Sequence, residues 1–216
     1  MAIDVKKIEK LFSSRSSRAL FKEAIIEILP EKDQWASSII FGVISAVPAG
    51  IIGVSKDTVE LFYKAVSNLN SIILALFAIV FTGYALFQAL VNNDLLRRLI
   101  IADAKKSGKR SKEDKTRKSK LQESNEYFIK LMMLIISAIV INALLLLVIG
   151  SLPKDFYLPL NNTFNNTMAA ILIWIYFLYM FRILWEMKSF VYNMFQLFNA
   201  HAGSKAIELL KKQDEE

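Results

Sequence analysis

The sequence predicts an all-α integral membrane protein with four transmembrane helices. Hydrophobic residues make up 54% of the 216-residue chain and charged residues still make up 22%, so the two classes must be segregated along it. Three stretches contain no charged residue at all: 34–55, 66–93 and 131–153. An uncharged apolar stretch of about 18 residues or more is typical of a membrane-spanning helix.

Four segments are long enough to cross about 30 Å of hydrocarbon as helices. The first three are residues 36–54, 69–92 and 131–152. The fourth, residues 167–185, has the shortest charge-free run, because Arg182 interrupts it. A long Arg side chain near a helix end can extend to the headgroups, so this segment is still predicted to span.

Lys and Arg are concentrated on one side of these spans. Twenty-four of the 27 basic residues lie in the terminal segments 1–35 and 182–216 or in the loop 93–130, and the loops 55–68 and 153–166 contain three. Loops rich in Lys and Arg stay in the cytoplasm. Both termini and the 93–130 loop are therefore predicted to be cytoplasmic, and the two other loops to face the opposite side.

A dense basic run lies in the cytoplasmic loop. Residues 105–120 carry nine basic and two acidic residues, a net +7 that equals the formal charge of the whole chain. We interpret the run as a topology determinant that also attracts anionic lipid, at roughly 1 kcal/mol per basic residue near the surface, with an acidic cytosolic partner as an alternative. Nucleic acid is disfavoured, because the run lacks aromatic residues for base stacking. The contact residues would be Lys105, Lys106, Lys109, Arg110, Lys112, Lys115, Arg117, Lys118 and Lys120.

Amphipathic helices are predicted on the cytoplasmic side. Residues 93–130 are expected to form a helical hairpin that turns near Gly108, with a disordered tip at residues 105–120 as the alternative. Residues 1–35 contain two helical apolar faces, which would lie in the membrane interface, on the hairpin or on another subunit.

The C-terminal segment 186–216 is predicted to be helical, with Gly203 separating a last short helix. Apolar residues recur in it at helical spacing and form one stripe. Packing of this stripe on the protein's own helices is favoured over a partner-binding face. Its members are Met187, Phe190, Val191, Met194, Phe195 and Phe198.

Small and polar residues within the spans point to helix packing. In the first span, small residues recur with a spacing that permits close helix contact or self-association: Ser38, Gly42, Ala46, Gly50 and Gly53. In the third span, Asn142 and Ser137 favour hydrogen bonds between helices, with pore lining as the alternative. Arg182 and Glu186, four residues apart, are interpreted as a structural ion pair, with gating as the alternative.

The sequence contains no recognisable catalytic motif, and we predict no enzyme activity. One histidine, His201, and no cysteine exclude a metal site built from these residues within one chain. No cofactor is predicted. The first three spans contain no charged residue, which disfavours an ion-coupled transporter.

Two functional hypotheses follow. The first is a homo-oligomeric membrane subunit that couples a membrane event to a cytosolic partner, as a sensor or scaffold. The alternative is an oligomeric, holin-like pore that depolarises the membrane. The layout is similar to that of many small bacterial membrane proteins encoded beside a cytosolic effector, some in antiviral defence, so the bacterial cytoplasmic membrane is the expected location.

Overall fold

The computed structural model describes residues 16–28, 35–91, 120–153 and 161–213, together with Phe156 and Pro159. All regular structure in these residues is helical, and none of them forms a strand, which confirms the predicted all-α class. The helices are α1 (Ser17–Ile28), α2 (Trp35–Val54), α3 (Thr58–Leu90), α4 (Lys120–Gly150) and α5 (Asn162–Gln213).

Three helices in the described part of the chain are long and apolar enough to cross a membrane: α3, α4 and α5. They contain 33, 31 and 52 residues. At about 1.5 Å per residue they are about 50, 46 and 78 Å long, more than a bilayer core of about 30 Å requires. Helix α2 contains 20 residues, and its segment Ser38–Val54 is a shorter apolar helix.

The helix boundaries differ from the sequence prediction in two places. Helix α3 begins at Thr58, inside the predicted 55–68 loop, because no Gly or Pro separates Thr58 from the second span. Gly203 does not end α5, which continues to Gln213. A single Gly in a helix interior costs only about 1 kcal/mol relative to Ala, so the flanking turns can carry the helix through it.

Helices α3 and α4 pack mainly on each other, and α2 packs mainly on α5. The buried side of α3 has a regular spacing: Val66, Ile73, Val80 and Phe87 recur every seven residues, and none is more than 1% exposed. A seven-residue repeat places one side chain on the same face every two turns. This face forms a continuous apolar contact along the whole length of α3.

An aromatic cluster joins α3, α4 and α5 at the end of the bundle nearest residues 92–119. The ring centroid of Phe128 lies 5.6 Å from those of Tyr84 and Phe87 and 6.0 Å from that of Phe190. Such ring pairs contribute about 0.5–1.5 kcal/mol each beyond their buried area. Gly83 leaves room for the cluster, since a Cβ there would lie 2.6 Å from Cζ of Phe190.

The short helix α1 packs on α4. Leu20 and Ala24 are its buried residues, and Nζ of Lys130 lies 3.1 Å from Oε2 of Glu23. The Lys130 side chain is only 10% exposed, so this ion pair offsets part of the desolvation of a buried ammonium group. The sequence left the N-terminal segment open to lie in the membrane interface, on the hairpin or on another subunit. Its described part, α1, packs on α4 of the same chain.

Several sequence predictions fall outside the described residues. They concern residues 1–15, the turn of the cytoplasmic hairpin, and the basic run apart from Lys120, which is exposed at the start of α4.

Helices α2 and α5 approach most closely at Gly53. A Cβ at this position would lie 2.6 Å from Cβ of Ala170 and 2.7 Å from its Cα and N atoms, so the two backbones are almost in contact. At Gly50, one turn earlier, nothing lies within 4 Å of the corresponding position. The same small-residue spacing thus contains one glycine that the fold requires and one that it does not.

We expect Gly53→Ala to destabilise the folded protein by about 1–3 kcal/mol, because the added methyl group meets backbone atoms that cannot rotate away. Gly50→Ala is the matched control and should be neutral or slightly stabilising, since Ala favours helix by about 1 kcal/mol over Gly. Thermal unfolding of the purified proteins in detergent measures the difference. Equal stability of the two variants would contradict the close approach of α2 and α5.

Candidate functional site

Polar side chains of α4 meet tyrosines of α5 inside the bundle. Asn142 is fully buried, and the hydroxyl of Tyr176 donates a hydrogen bond to its Oδ1 atom at 3.0 Å. The ring of Phe62 on α3 packs edge-on against Tyr176, with centroids 5.4 Å apart. One hydrogen bond therefore links α4 to α5 in the apolar part of the bundle, and an aromatic ring of α3 covers it.

A second polar pair lies about one turn away along α5. The hydroxyls of Ser137 and Tyr179 are 2.5 Å apart, and the Ser137 hydroxyl also donates to the carbonyl oxygen of Leu134 at 2.7 Å. A serine hydroxyl has one proton to donate. The assignment that satisfies both groups has Tyr179 donating to Ser137 and Ser137 donating to Leu134.

The structure brings both predicted polar residues of the third span to the same neighbouring helix. Asn142 and Ser137 face Tyr176 and Tyr179, which are three residues apart and share one side of α5. Both residues therefore hydrogen-bond to a helix of the same chain, and pore lining stays the alternative prediction. Sequence reasoning missed the two tyrosines, although their i, i+3 spacing within an apolar span was the available signal.

The Asn142–Tyr176 contact is incompletely satisfied. Nδ2 of Asn142 is buried and has no hydrogen-bond partner within the described part of the chain. A buried donor without an acceptor costs about 1–3 kcal/mol. The pair therefore contributes less to stability than its geometry alone indicates, and it acts mainly by fixing α4 against α5.

Charged residues lie toward the end of the bundle nearest residues 92–119. Arg182 is 8% exposed, and Glu186 follows one turn later, half-buried. Tyr127, in the first turns of α4 outside the apolar segment, has its pKa raised well above its usual range, chiefly by burial and also by the negative charge of Glu186. A gating role for Arg182 and Glu186 stays a prediction.

The small-residue stripe of α2 is divided between two environments. Gly53 contacts α5 directly, and the carbonyl of Gly42 accepts a hydrogen bond from Nε1 of Trp174 at 2.9 Å. Ser38 is half-buried. Ala46 and Gly50 instead line an open groove of about 500 Å³, which α5 borders with Asn162, Thr163, Asn166, Thr167, Ala170, Ile171 and Trp174.

The apolar stripe of the C-terminal segment is divided in the same way. Phe190 and Met194 are buried, at 5% and 9% exposure, and Met187 is half-buried. The remaining members are among the more exposed apolar residues of the chain: Val191, Phe195 and Phe198. Among the helices that the structure describes, only one half of the stripe is therefore covered.

A metal-binding arrangement is not found in the described residues. No group of three or more His, Cys, Asp or Glu residues in them is placed to hold a metal ion.

A double-mutant cycle on Asn142→Leu and Tyr176→Phe should show a coupling energy of about 0.5–1.5 kcal/mol, because each single change leaves the other polar group buried without a partner. Unfolding by SDS in mixed micelles measures it. As a control, Asn142→Leu and Trp174→Phe should be additive within about 0.5 kcal/mol, since Trp174 bonds to α2 instead. If the free-energy changes of Asn142→Leu and Tyr176→Phe were additive, the hydrogen-bonded link between α4 and α5 would be contradicted.

Comparison with known proteins adds no relative to this description. No family model matches the chain, and neither a curated protein nor a solved structure matches it.

Proposed function

We propose that this protein is a non-enzymatic membrane subunit with four spans that couples an event in the membrane to a cytosolic protein. The observation that carries the proposal is the continuity of α5. Its 52 residues run without interruption from the 153–161 connection, through the bundle, to an exposed apolar face.

The packing of α2 supports a fourth span beside the three long helices. Gly53 meets Ala170 near one end of α2, and near the other end the ring of Phe41 lies 4.8 Å from that of Trp185. Helix α2 thus packs along α5 between Ala170 and Trp185. A helix of 20 residues is about 30 Å long, the thickness of the hydrocarbon core.

The extension of α5 gives the coupling a physical route. From Lys188 to Gln213 the helix adds about 40 Å at about 1.5 Å per residue. Sharp helix kinks occur at Pro and at Gly/Ser pairs. Residues 162–202 contain neither Pro nor Gly, and the Gly203–Ser204 pair lies beyond the exposed apolar residues Val191, Phe195 and Phe198. A displacement or rotation of the membrane part of α5 would therefore be carried into this extension.

The remaining features fit an oligomeric sensor or scaffold in a bacterial cytoplasmic membrane, with both termini and the basic run on the cytoplasmic side. The open part of the α2 stripe, at Ala46 and Gly50, is the surface we propose for assembly with further copies. Anionic lipid and an acidic region of the cytosolic partner would both be attracted by the +7 run.

Affinity purification of the full chain from its native membrane tests this proposal. We expect a cytosolic protein to co-purify with it and to decrease at least tenfold when Lys109, Lys112 and Lys115 are changed to Gln. Six basic residues of the run remain in this variant, so membrane orientation should be kept. The matched control changes Lys56 and Lys64, which lie on the opposite side of the proposed topology.

Two results would contradict the proposal. One is that both variants retain the same amount of the cytosolic protein, or that no cytosolic protein co-purifies in a larger amount than with an unrelated membrane protein. The other is an ion leak on expression that Asn142→Leu abolishes while assembly is unchanged, which would favour the pore.

A further inference from the structure

The extension of α5 carries an exposed apolar face that the described helices leave uncovered. Its members are Val191, Phe195, Phe198 and Ala202, which we name the α5 face. Val191, Phe195 and Phe198 are 62%, 58% and 45% exposed, and Ala202 is exposed as well. These residues follow one another at intervals of four, three and four, which is the spacing of a helix–helix contact.

The opposite side of the same helix segment is already used within the chain. Phe190, Met194 and Leu197 are buried, and Phe190 contacts the ring of Phe128 on α4. The position of α5 is thus fixed by this buried side, and the α5 face is directed away from it. Under the proposed topology the α5 face lies in the cytoplasm. A contiguous set of exposed apolar side chains in water favours contact with another protein.

Lysines stand at both ends of the α5 face. Lys188 precedes Val191 by three residues and Lys205 follows Ala202 by three, so both continue the same helical side. Nζ of Lys188 lies 4.7 Å from the centre of the Trp185 ring, and Lys205 is 3.2 Å from Glu208 in an ion pair whose members are 55% and 34% exposed. Exposed pairs of this kind are weak, so both ammonium groups can interact with a partner.

The charges disfavour a second copy of this chain on the α5 face. Two copies in one membrane have the same orientation, so their α5 helices would be parallel. A two-fold contact through this face would then bring Lys188 opposite Lys188 and Lys205 opposite Lys205. Like charges at the same level of a helix pair oppose association. The neighbouring +7 run adds a field of the same sign.

We propose that the α5 face binds an amphipathic helix of a cytosolic protein, with an apolar centre and acidic residues near both ends. The mode is an apolar helix side laid on an apolar helix side, with carboxylates meeting Lys188 and Lys205. This inference rests on the proposed function and identifies the docking surface and the chemistry of the partner.

Two synthetic helical peptides test the inference, both labelled with a fluorophore and about 18 residues long. Both peptides carry leucines along one side of the helix. Glutamates flank these leucines at both ends in the first peptide, and lysines flank them in the second. Fluorescence anisotropy with the full chain in nanodiscs of neutral lipid measures their binding. We expect the glutamate peptide to bind at least tenfold more tightly than the lysine peptide.

Variants of the full chain separate the α5 face from the basic run. Phe195→Ser should weaken the glutamate peptide at least tenfold, whereas Ile26→Ser, an exposed apolar control on α1, should not. The double change Lys188→Glu and Lys205→Glu should reverse the preference between the peptides, although residues 105–120 keep their charge. Reversal would assign the charge recognition to the α5 face.

Three outcomes would overturn the inference. If neutral substitutions in the 105–120 run abolish binding while Phe195→Ser and the Lys188/Lys205 change do not, docking occurs elsewhere, and the proposed function still stands. Equal binding of the two peptides would contradict recognition of acidic residues by the α5 face. The chain contains no cysteine, so Phe195→Cys introduces a single thiol. A disulfide-linked dimer of this variant would identify a second copy of the chain as the occupant of the α5 face. Peptide binding without a co-purifying cytosolic protein would instead count against the proposed function alone.

Discussion

One continuous helix, α5, contacts each of α2, α3 and α4. Each of α2, α3 and α4 is positioned against α5 by a different kind of contact: a backbone approach at Gly53, an aromatic contact between Phe62 and Tyr176, and hydrogen bonds at Tyr176 and Tyr179. The buried side of α5 continues past the apolar segment, with Met194 and Leu197 still covered. The membrane part and its extension therefore belong to one packed helix, which is the physical basis of the coupling we propose.

The contacts in the bundle differ in what they contribute. The apolar side chains of α3 and α4 stabilise the bundle by close van der Waals packing, because lipid chains are as apolar as these side chains and removal from water supplies no driving force between spans. The Asn142–Tyr176 bond adds little, because Nδ2 of Asn142 remains without a partner in the described residues. Its value is directional, since only one sliding position and one rotation of α4 on α5 bring the two groups within 3.0 Å. The polar pairs therefore specify the arrangement that apolar contacts stabilise.

Sequence reasoning predicted the helical class and the apolar segments, because a run without charge has few alternatives to a buried or membrane-embedded helix. It did not separate Gly53 from Gly50, since spacing identifies a helix side but not the rotation that decides which member meets α5. It did not find Tyr176 and Tyr179, because aromatic residues in a span also occur at the membrane interface and carry no mark of a buried partner. It ended a helix at Gly203, whereas α5 continues to Gln213, because a single Gly in a helix interior costs only about 1 kcal/mol relative to Ala. The stripe at 187–198 is a similar case: periodicity showed an apolar side, and only the fold showed that the described helices cover half of it.

Assigning the two ends of α5 to opposite sides of the membrane is the central claim of this account. Single cysteines introduced in the cysteine-free chain at Asn162 and Asn199, both exposed on α5, test it directly with a membrane-impermeant maleimide. We expect Asn162→Cys to be labelled in intact cells and Asn199→Cys only after the membrane is permeabilised. Labelling of both positions from the same side would contradict a membrane-crossing α5 and with it the proposed coupling.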